Sequence, residues 1–299
     1  MSEEPTVDEL YEVRNNFMLG GYQTAINEAS SLHTASDALA LEKDCFVFRS
    51  YLGQGNYQFV LDELRAEDTP SQPPELFALR LYAEFCAAQG DDEAQQAVLQ
   101  KMNTLMSSAR GSQLLLILIG SAYAKLRQYD EGLRYVIQTR SLEGRSLVVS
   151  FLVAMNRPDL AQKEWQQMQQ MQDDAVATQL AQAMVLFGLG GESTEEAHLI
   201  YQELMEKFTP TPMLLNSAAA CLMKMNRFAD AERLLLESLE KDNKDGDTLL
   251  NLTACAFHTN RNADRFLRQV KSVASSHDGV QQRIAMELAF DEAVAQMKL

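Results

Sequence analysis

The sequence predicts an all-α protein, a solenoid of about eight helix–turn–helix units followed by one C-terminal helix. A short pattern of small and aromatic residues recurs about every 34 residues along most of the chain. Alanine, leucine, glutamine, glutamate and methionine, which favour helices, dominate between sparse proline-containing breaks. Alternating runs of β-branched residues, which would indicate strands, are nearly absent.

The repeat is clearest in three copies, each of which combines a tight turn with the start of a second helix. These copies read Gly20-x-Tyr22-x-x-Ala25, Gly55-x-Tyr57-x-x-Val60 and Asn226-x-Phe228-x-x-Ala231. Weaker copies centre on Gln95, Gly132, Ala161, Ala197 and Arg265. The spacing is typical of a tetratricopeptide (TPR) array, in which pairs of helices stack and form extended binding surfaces. We therefore expect a TPR-type α-solenoid.

Two places depart from the regular spacing. The interval between Gly132 and Ala161 is short, which predicts a tightened loop between units around residues 140–145. In the third unit Gln95 stands where a small residue is expected, and Ala94 is an alternative anchor with the register shifted by one.

The C-terminal segment from about Asp278 carries a helical apolar stripe that begins with Val280, Ile284 and Leu288. We expect residues 1–278 to form the TPR-like solenoid and residues 279–299 to pack on the last repeat. The simplest role for such a helix is a cap on the open apolar end of the array. Docking on a partner is the alternative.

The charge of the chain restricts its partners. A net charge of −16 argues against nucleic acid or an anionic membrane as the main partner, because both require a basic face. We interpret the surplus of acidic residues as a means of solubility, in preference to a dedicated acidic docking patch. The polar, acidic start and the shortness of every apolar run predict no signal peptide and no direct membrane insertion. We expect a cytoplasmic protein.

Patterns that carry chemistry are absent from the sequence. The four cysteines are far apart and form no CxxC motif, so neither a zinc site nor a disulfide framework is indicated. Phosphate-binding, serine-hydrolase, zinc-protease and EF-hand motifs do not occur, and the histidines are isolated. We therefore expect no catalytic residue, no cofactor, no metal site and no enzymatic activity.

The expected functional surface is the concave side of the array. In TPR proteins this side is lined by positions 2, 5, 9 and 12 of each first helix, and position 12 is apolar in every unit here. An exposed apolar stripe marks an interaction surface, although position 12 could also pack within its own unit. A helical or extended partner segment with its own apolar face would suit such a groove. The predicted partner-binding groove comprises Leu10, Arg14, Phe17, Cys45, Arg49, Leu52, Phe77, Arg80, Ala87, Ile117, Ala124, Val153, Leu186, Leu189, Met213, Asn216, Met223, Leu250 and Phe257.

Specific combinations of residues go beyond the general TPR pattern. They are Val7-Asp8-Glu9-Leu10-Tyr11, Asn15-Asn16-Phe17, Gly20-Gly21-Tyr22-Gln23, Val60-Leu61-Asp62-Glu63-Leu64, Ala161-Gln162-Lys163-Glu164, Thr178-Gln179-Leu180-Ala181, Leu214-Leu215-Asn216 and Leu249-x-Asn251-Leu252. With these combinations the chain resembles the epsilon subunits of coatomer, the coat of COPI vesicles, over nearly its whole length. Its last twenty or so residues are similar only loosely.

The resemblance implies a non-enzymatic coat subunit that binds and stabilises the C-terminal domain of the alpha subunit within coatomer. It implies support of Golgi-to-ER retrograde and intra-Golgi transport, with the protein peripheral on Golgi membranes and COPI-coated vesicles. Contact with lipid would be indirect. The alternative is a cytosolic TPR adaptor or co-chaperone that binds peptides transiently. Co-chaperones of this kind grip carboxylates with several basic groove residues, and no such clamp is evident in the predicted groove.

Overall fold

The computed structural model of the chain describes residues 8–65, 73–108, 111–275 and 277–297. Within these ranges the chain forms seventeen α-helices and no strand, which confirms the all-α prediction. Residues 1–7 of the predicted solenoid and 298–299 of the predicted C-terminal helix lie outside the described residues. The helices are α1 (Tyr11–Met18), α2 (Tyr22–Ser31), α3 (Asp37–Gly53), α4 (Tyr57–Glu63), α5 (Pro74–Ala87), α6 (Asp92–Ser108), α7 (Gln113–Lys125), α8 (Tyr129–Val136), α9 (Leu142–Ala154), α10 (Pro158–Met171), α11 (Val176–Leu189), α12 (Ser193–Lys207), α13 (Pro212–Lys224), α14 (Phe228–Lys241), α15 (Gly246–His258), α16 (Asp264–Val273) and α17 (Asp278–Gln296).

In chain order the helices fall into eight consecutive pairs followed by the single helix α17. Each turn within a pair contains a residue whose backbone is left-handed, with φ between 51° and 93°. Glycine and asparagine enter this region at the lowest steric cost, which explains why seven of the eight turns use one or the other, with Arg127 as the exception. These turn residues are Gly20, Gly55, Gly90, Arg127, Asn156, Gly190, Asn226 and Asn260.

The chain divides into two compact units, Met1–Gly190 and Gly191–Leu299, called unit 1 and unit 2 below. In unit 1 a first core cluster is built around Leu79, Phe85 and Met102, and a second around Phe151 and Met168. In unit 2 the helices pack around Leu235 and Leu252. The small crossing residues of the repeat are buried in both units, as the pattern predicts: Ala25, Val60, Ala161, Ala197 and Ala231.

The short interval between Gly132 and Ala161 has a simple origin. Helix α8 has 8 residues, whereas the corresponding helix α10 has 14. The repeat is therefore short because the second helix of the fourth pair is short. The predicted loop around 140–145 is placed too late in the sequence, because α9 already begins at Leu142 and contains Arg145.

The register of the third pair is set by Gln95. Its side chain is buried, and its Nε2 donates to the carbonyl oxygen of Phe85 at 3.4 Å. Gln95 follows Gly90 at the same distance as Ala25 follows Gly20, so the alternative anchor Ala94 is not needed.

Helix α17 packs on the other helices of unit 2 only through its first turns. Val280 is 2% exposed and joins Leu249 and Val270 in one apolar cluster, with Ile284 at its margin. Every described residue from 285 onwards is exposed. The division of the chain into residues 1–278 and 279–299 stays a prediction.

Candidate functional site

Unit 1 is curled, so that its first helix meets its last. Helix α1 contacts α11, and Met18 of α1 packs against the cluster that contains Val136, Val149 and Phe151. The interior of this curl is formed by the first helices of the pairs. Among them, α3 and α9 begin at serine caps: Ser36 accepts the N–H of Leu39 and Ser141 accepts that of Gly144.

An ion pair crosses the interior of unit 1. Arg49 of α3 and Glu143 of α9 form a bidentate pair in which Arg49 Nη1 donates to Glu143 Oε2 at 3.2 Å, and Nη2 contacts Oε1. The partners are 94 residues apart in the sequence, and their side chains are only 10% and 24% exposed. The guanidinium also lies over the ring of Phe17, 4.4 Å from its centroid. One arginine thus ties α1, α3 and α9 together.

Two cavities open on either side of this ion pair, and both are bordered by Arg49, Glu143 and Ile117. The larger, of about 270 Å³, has a mainly apolar lining interrupted by carboxylates. The smaller, of about 190 Å³, combines apolar and serine side chains. The larger is completed by Ala38, Leu41, Glu42, Cys45, Phe46, Glu75, Gln113, Leu114 and Ser141, and the smaller by Met18, Ser121, Ser146, Leu147, Ser150 and Met184.

Three residues of the predicted groove, Cys45, Arg49 and Ile117, line these cavities. Burial raises the pKa of the Cys45 thiol to about 12. The thiol is therefore uncharged at neutral pH and contributes an apolar lining rather than a nucleophile.

The other two predicted arginines of unit 1 form ion pairs and hydrogen bonds within the chain. Arg14 pairs with Asp8 at 2.7 Å and with Glu42 at 2.9 Å. Arg80 donates to the carbonyl oxygens of Leu61, at 3.0 Å, and Leu64, and so caps the C-terminal end of α4. No predicted arginine of unit 1 therefore lacks an intramolecular acceptor.

The remaining predicted residues of unit 1 differ in exposure. Leu10 and Leu52 are buried, which makes them core residues rather than surface. Half-buried are Phe17, Phe77, Ala124, Val153 and Leu186, and exposed are Ala87 and Leu189. Register position alone therefore does not decide which side chains a partner could reach.

One of the predicted residues of unit 2, Asn216, belongs to a polar network. Asn216 Nδ2 donates to Thr248 Oγ1 at 2.6 Å and to Asp245 Oδ2 at 3.0 Å, and its Oδ1 accepts from Asn251 at 3.1 Å. Asn216 is thus a connector between α13 and α15. Of the others, Met213 and Phe257 are exposed, and Met223 and Leu250 are half-buried.

The predicted groove set omits Glu143, Ser121, Ser150 and Met184, which line the interior. Glu143, Ser121 and Ser150 stand at groove positions 2 and 9 of their repeats, but no local pattern pairs Glu143 with Arg49 across 94 residues. The described part of the chain contains no group of three or more His, Cys, Asp or Glu suited to a metal ion. None of the helices described is both long and apolar enough to cross a membrane.

A profile of the family described as coatomer epsilon subunit matches residues 6–298. The chain belongs to the coatomer epsilon subunit family. Coatomer subunit epsilon-2 of Arabidopsis thaliana is 36% identical over 96% of this chain and 96% of that protein. Coatomer subunit epsilon of Dictyostelium discoideum is 34% identical over 91% and 92%, and that of Caenorhabditis elegans is 31% identical over 96% and 98%.

The fold is also similar to a known one. The crystal structure of a tetratricopeptide repeat protein from Parabacteroides merdae superposes with a TM-score of 0.59, over 79% of this chain and 93% of that chain. The sequence identity is 12%, so the likeness concerns the fold alone. Together with the helix pairs and their left-handed turns, it confirms the predicted TPR-like α-solenoid class.

Proposed function

We propose that the chain is a non-enzymatic subunit of the COPI coat that binds and stabilises the C-terminal domain of the alpha subunit of coatomer. The observation that carries this proposal is the family match over residues 6–298. In this role the chain supports Golgi-to-ER retrograde and intra-Golgi transport, and associates with Golgi membranes and COPI vesicles through the assembled coat. Depletion of the chain should slow the return of Golgi cargo to the endoplasmic reticulum.

The interior of unit 1 is the proposed contact surface. Its two cavities offer apolar walls formed by Leu41, Leu114 and Leu147, and these are the walls that a partner segment with apolar side chains would fill. The carboxylate of Glu75 at the larger cavity favours a segment that also carries a positive charge.

The alternative function, a transient adaptor or co-chaperone, is less well supported. A carboxylate clamp needs cationic side chains available to the terminal carboxylate of a peptide. Arg14, Arg49 and Arg80 are instead engaged with carboxylates or backbone carbonyls within the chain. The predicted groove of unit 1 therefore offers no carboxylate clamp to a peptide ligand of a co-chaperone.

The proposal is tested by filling the interior. Ser150 is half-buried and lines the smaller cavity, so Ser150→Trp should occupy space that the partner needs without disturbing the apolar core. Binding of the purified chain to the C-terminal domain of the alpha subunit is measured by calorimetry and by size-exclusion chromatography with light scattering. We expect a stable complex with the original chain and at least about tenfold weaker binding with Ser150→Trp.

Gln100→Trp is the matched control, since Gln100 lies on the exposed side of α6, the second helix of the third pair. It should bind as the original chain does. Absence of any complex with the original chain would overturn the proposed partner. Undiminished binding by Ser150→Trp with an unchanged far-ultraviolet circular dichroism spectrum would show that the contact lies outside the interior of unit 1.

A further inference from the structure

The larger cavity of unit 1 is lined by one carboxylate that has no counter-charge. The charged side chains of its lining are Glu42, Arg49, Glu75 and Glu143. Glu143 is paired with Arg49, and Glu42 is paired with Arg14 of α1 at 2.9 Å. Within the described ranges of the chain, Glu75 has no ion-pair partner. Once the pairs are subtracted, the lining therefore keeps a single negative charge.

The start of α5 places Glu75 at the cavity. Glu75 is the second residue of this helix, after the Pro73 N-cap, and its side chain is half-buried. The helix dipole stabilises a carboxylate in the first turn, which accounts for an acidic residue here, but it supplies only a partial charge. The charge of Glu75 also acts on Cys45: burial is the main cause of the raised pKa of that thiol, and Glu75 raises it further.

A segment that fills the cavity changes the surroundings of Glu75. In the unoccupied cavity, water reaches the half-buried carboxylate. An incoming segment displaces this water, and a carboxylate buried without a counter-charge is strongly unfavourable. A wholly apolar segment is therefore disfavoured, and an acidic one still more so. A lysine or arginine of the segment can instead form a charge-assisted hydrogen bond with Glu75 in a site from which water is excluded.

The ion pairs of the lining also limit the number of positive charges. Glu42 and Glu143 each have an arginine partner within the chain. A second cation of the segment would therefore find no unpaired carboxylate and would itself be buried without a counter-charge. Leu41 and Leu114 suit apolar side chains on either side of the one cation. The segment that matches the cavity thus combines one basic residue with apolar neighbours.

We propose that the segment of the alpha subunit that enters the larger cavity carries one lysine or arginine between apolar residues, and that Glu75 pairs with it. Glu75 is then the residue of this chain that selects the segment by its charge. This inference rests on the proposed function, because it takes the alpha subunit as the partner and the interior of unit 1 as the contact surface.

The test measures binding of the purified chain to the C-terminal domain of the alpha subunit by calorimetry. Glu75→Gln keeps the size of the side chain and removes its charge, so binding should weaken at least about tenfold. Glu75→Lys brings two cations together and should weaken binding at least about a hundredfold.

A charge-reversal experiment then identifies the basic residue of the partner. Each lysine and arginine of the domain is replaced by glutamate in turn, and each variant is titrated into the Glu75→Lys chain. One of these variants should bind the Glu75→Lys chain at least about tenfold more tightly than the original domain does, because the ion pair is formed again with its charges exchanged. Such a recovery also shows that the Glu75→Lys chain is folded.

Glu93 provides the matched control. It is the second residue of α6, as Glu75 is of α5, but it is exposed and lines neither cavity. Glu93→Gln and Glu93→Lys lose the same interaction with a helix dipole and should bind as the original chain does.

Equal or tighter binding by Glu75→Gln would overturn the inference and leave the proposed function standing. Failure of every glutamate variant of the domain to recover binding to Glu75→Lys would overturn it equally. Absence of a complex between the original chain and the domain would refute the proposed function itself.

Discussion

Breaking the Arg49–Glu143 ion pair should destabilise unit 1. In Arg49→Met the Glu143 carboxylate, 24% exposed, is left in the interior without a counter-charge. Removal of one partner of a buried pair costs about 3–5 kcal/mol, and the residual exposure of Glu143 places this case near about 3 kcal/mol. Loss of the cation–π contact with Phe17 adds about 1 kcal/mol.

The double substitution Arg49→Met with Glu143→Gln removes both charges at once. It should cost clearly less than the sum of the single changes, because no charge is then left unpaired in the interior. We expect a coupling free energy of about 2 kcal/mol between the two positions. Arg134→Ala, which breaks an exposed pair with Glu131 in the same unit, should change stability by no more than about 0.5 kcal/mol.

Trp165 makes the measurement specific to unit 1. It is the only tryptophan of the chain and is half-buried in the second core cluster of that unit. Urea unfolding followed by fluorescence excited at 295 nm therefore reports on unit 1 alone. A coupling free energy below about 0.5 kcal/mol would refute the reasoning, since the pair would then behave like one on the surface.

Three further predictions concern an asparagine, a histidine and the four cysteines. Asn216→Ala should destabilise unit 2 by about 2 kcal/mol, because it removes the acceptor of Asn251 and the donor to Thr248 and Asp245, and faster amide exchange in α13 and α15 would report this. Burial lowers the pKa of His198, so the unfolded chain binds more protons and stability falls as the pH drops below about 6.5. His198→Gln should remove that part of the acid dependence in urea titrations, and an unaltered pH profile would contradict it. Burial raises the pKa of all four thiols, so iodoacetamide should label the native chain at least about tenfold more slowly than the urea-unfolded chain. The thiols are Cys45, Cys86, Cys221 and Cys255.

The helix pairs could be predicted because their signals are local. A turn that requires positive φ selects glycine or asparagine, and a close helix crossing selects a small residue. Gly132 shows the second constraint: a Cβ there would lie 2.6 Å from Cε2 of Phe151. These requirements repeat with the period of the chain and are visible without any knowledge of its curvature.

The interior of unit 1 could not be predicted in the same way. Which first helices face one another depends on small rotations that add up over five successive pairs. Leu52 and Ala87 occupy the same position of their repeats, yet Leu52 is 6% exposed in the core and Ala87 is on the surface. The approach of Arg49 to Glu143 is a property of the whole curl, so no sequence window contains it.

The ion pair across the interior of unit 1 has a kinetic consequence. A segment that occupies both cavities at once can do so only in the fraction of molecules in which Arg49 and Glu143 have separated. The association rate constant and the apparent affinity of the segment are both multiplied by that fraction. Once the ion pair has formed again around the bound segment, the segment can dissociate only after the pair has separated a second time. Residence time is then governed by the rate of opening rather than by contact strength, and a weakly held segment can still stay for a long time.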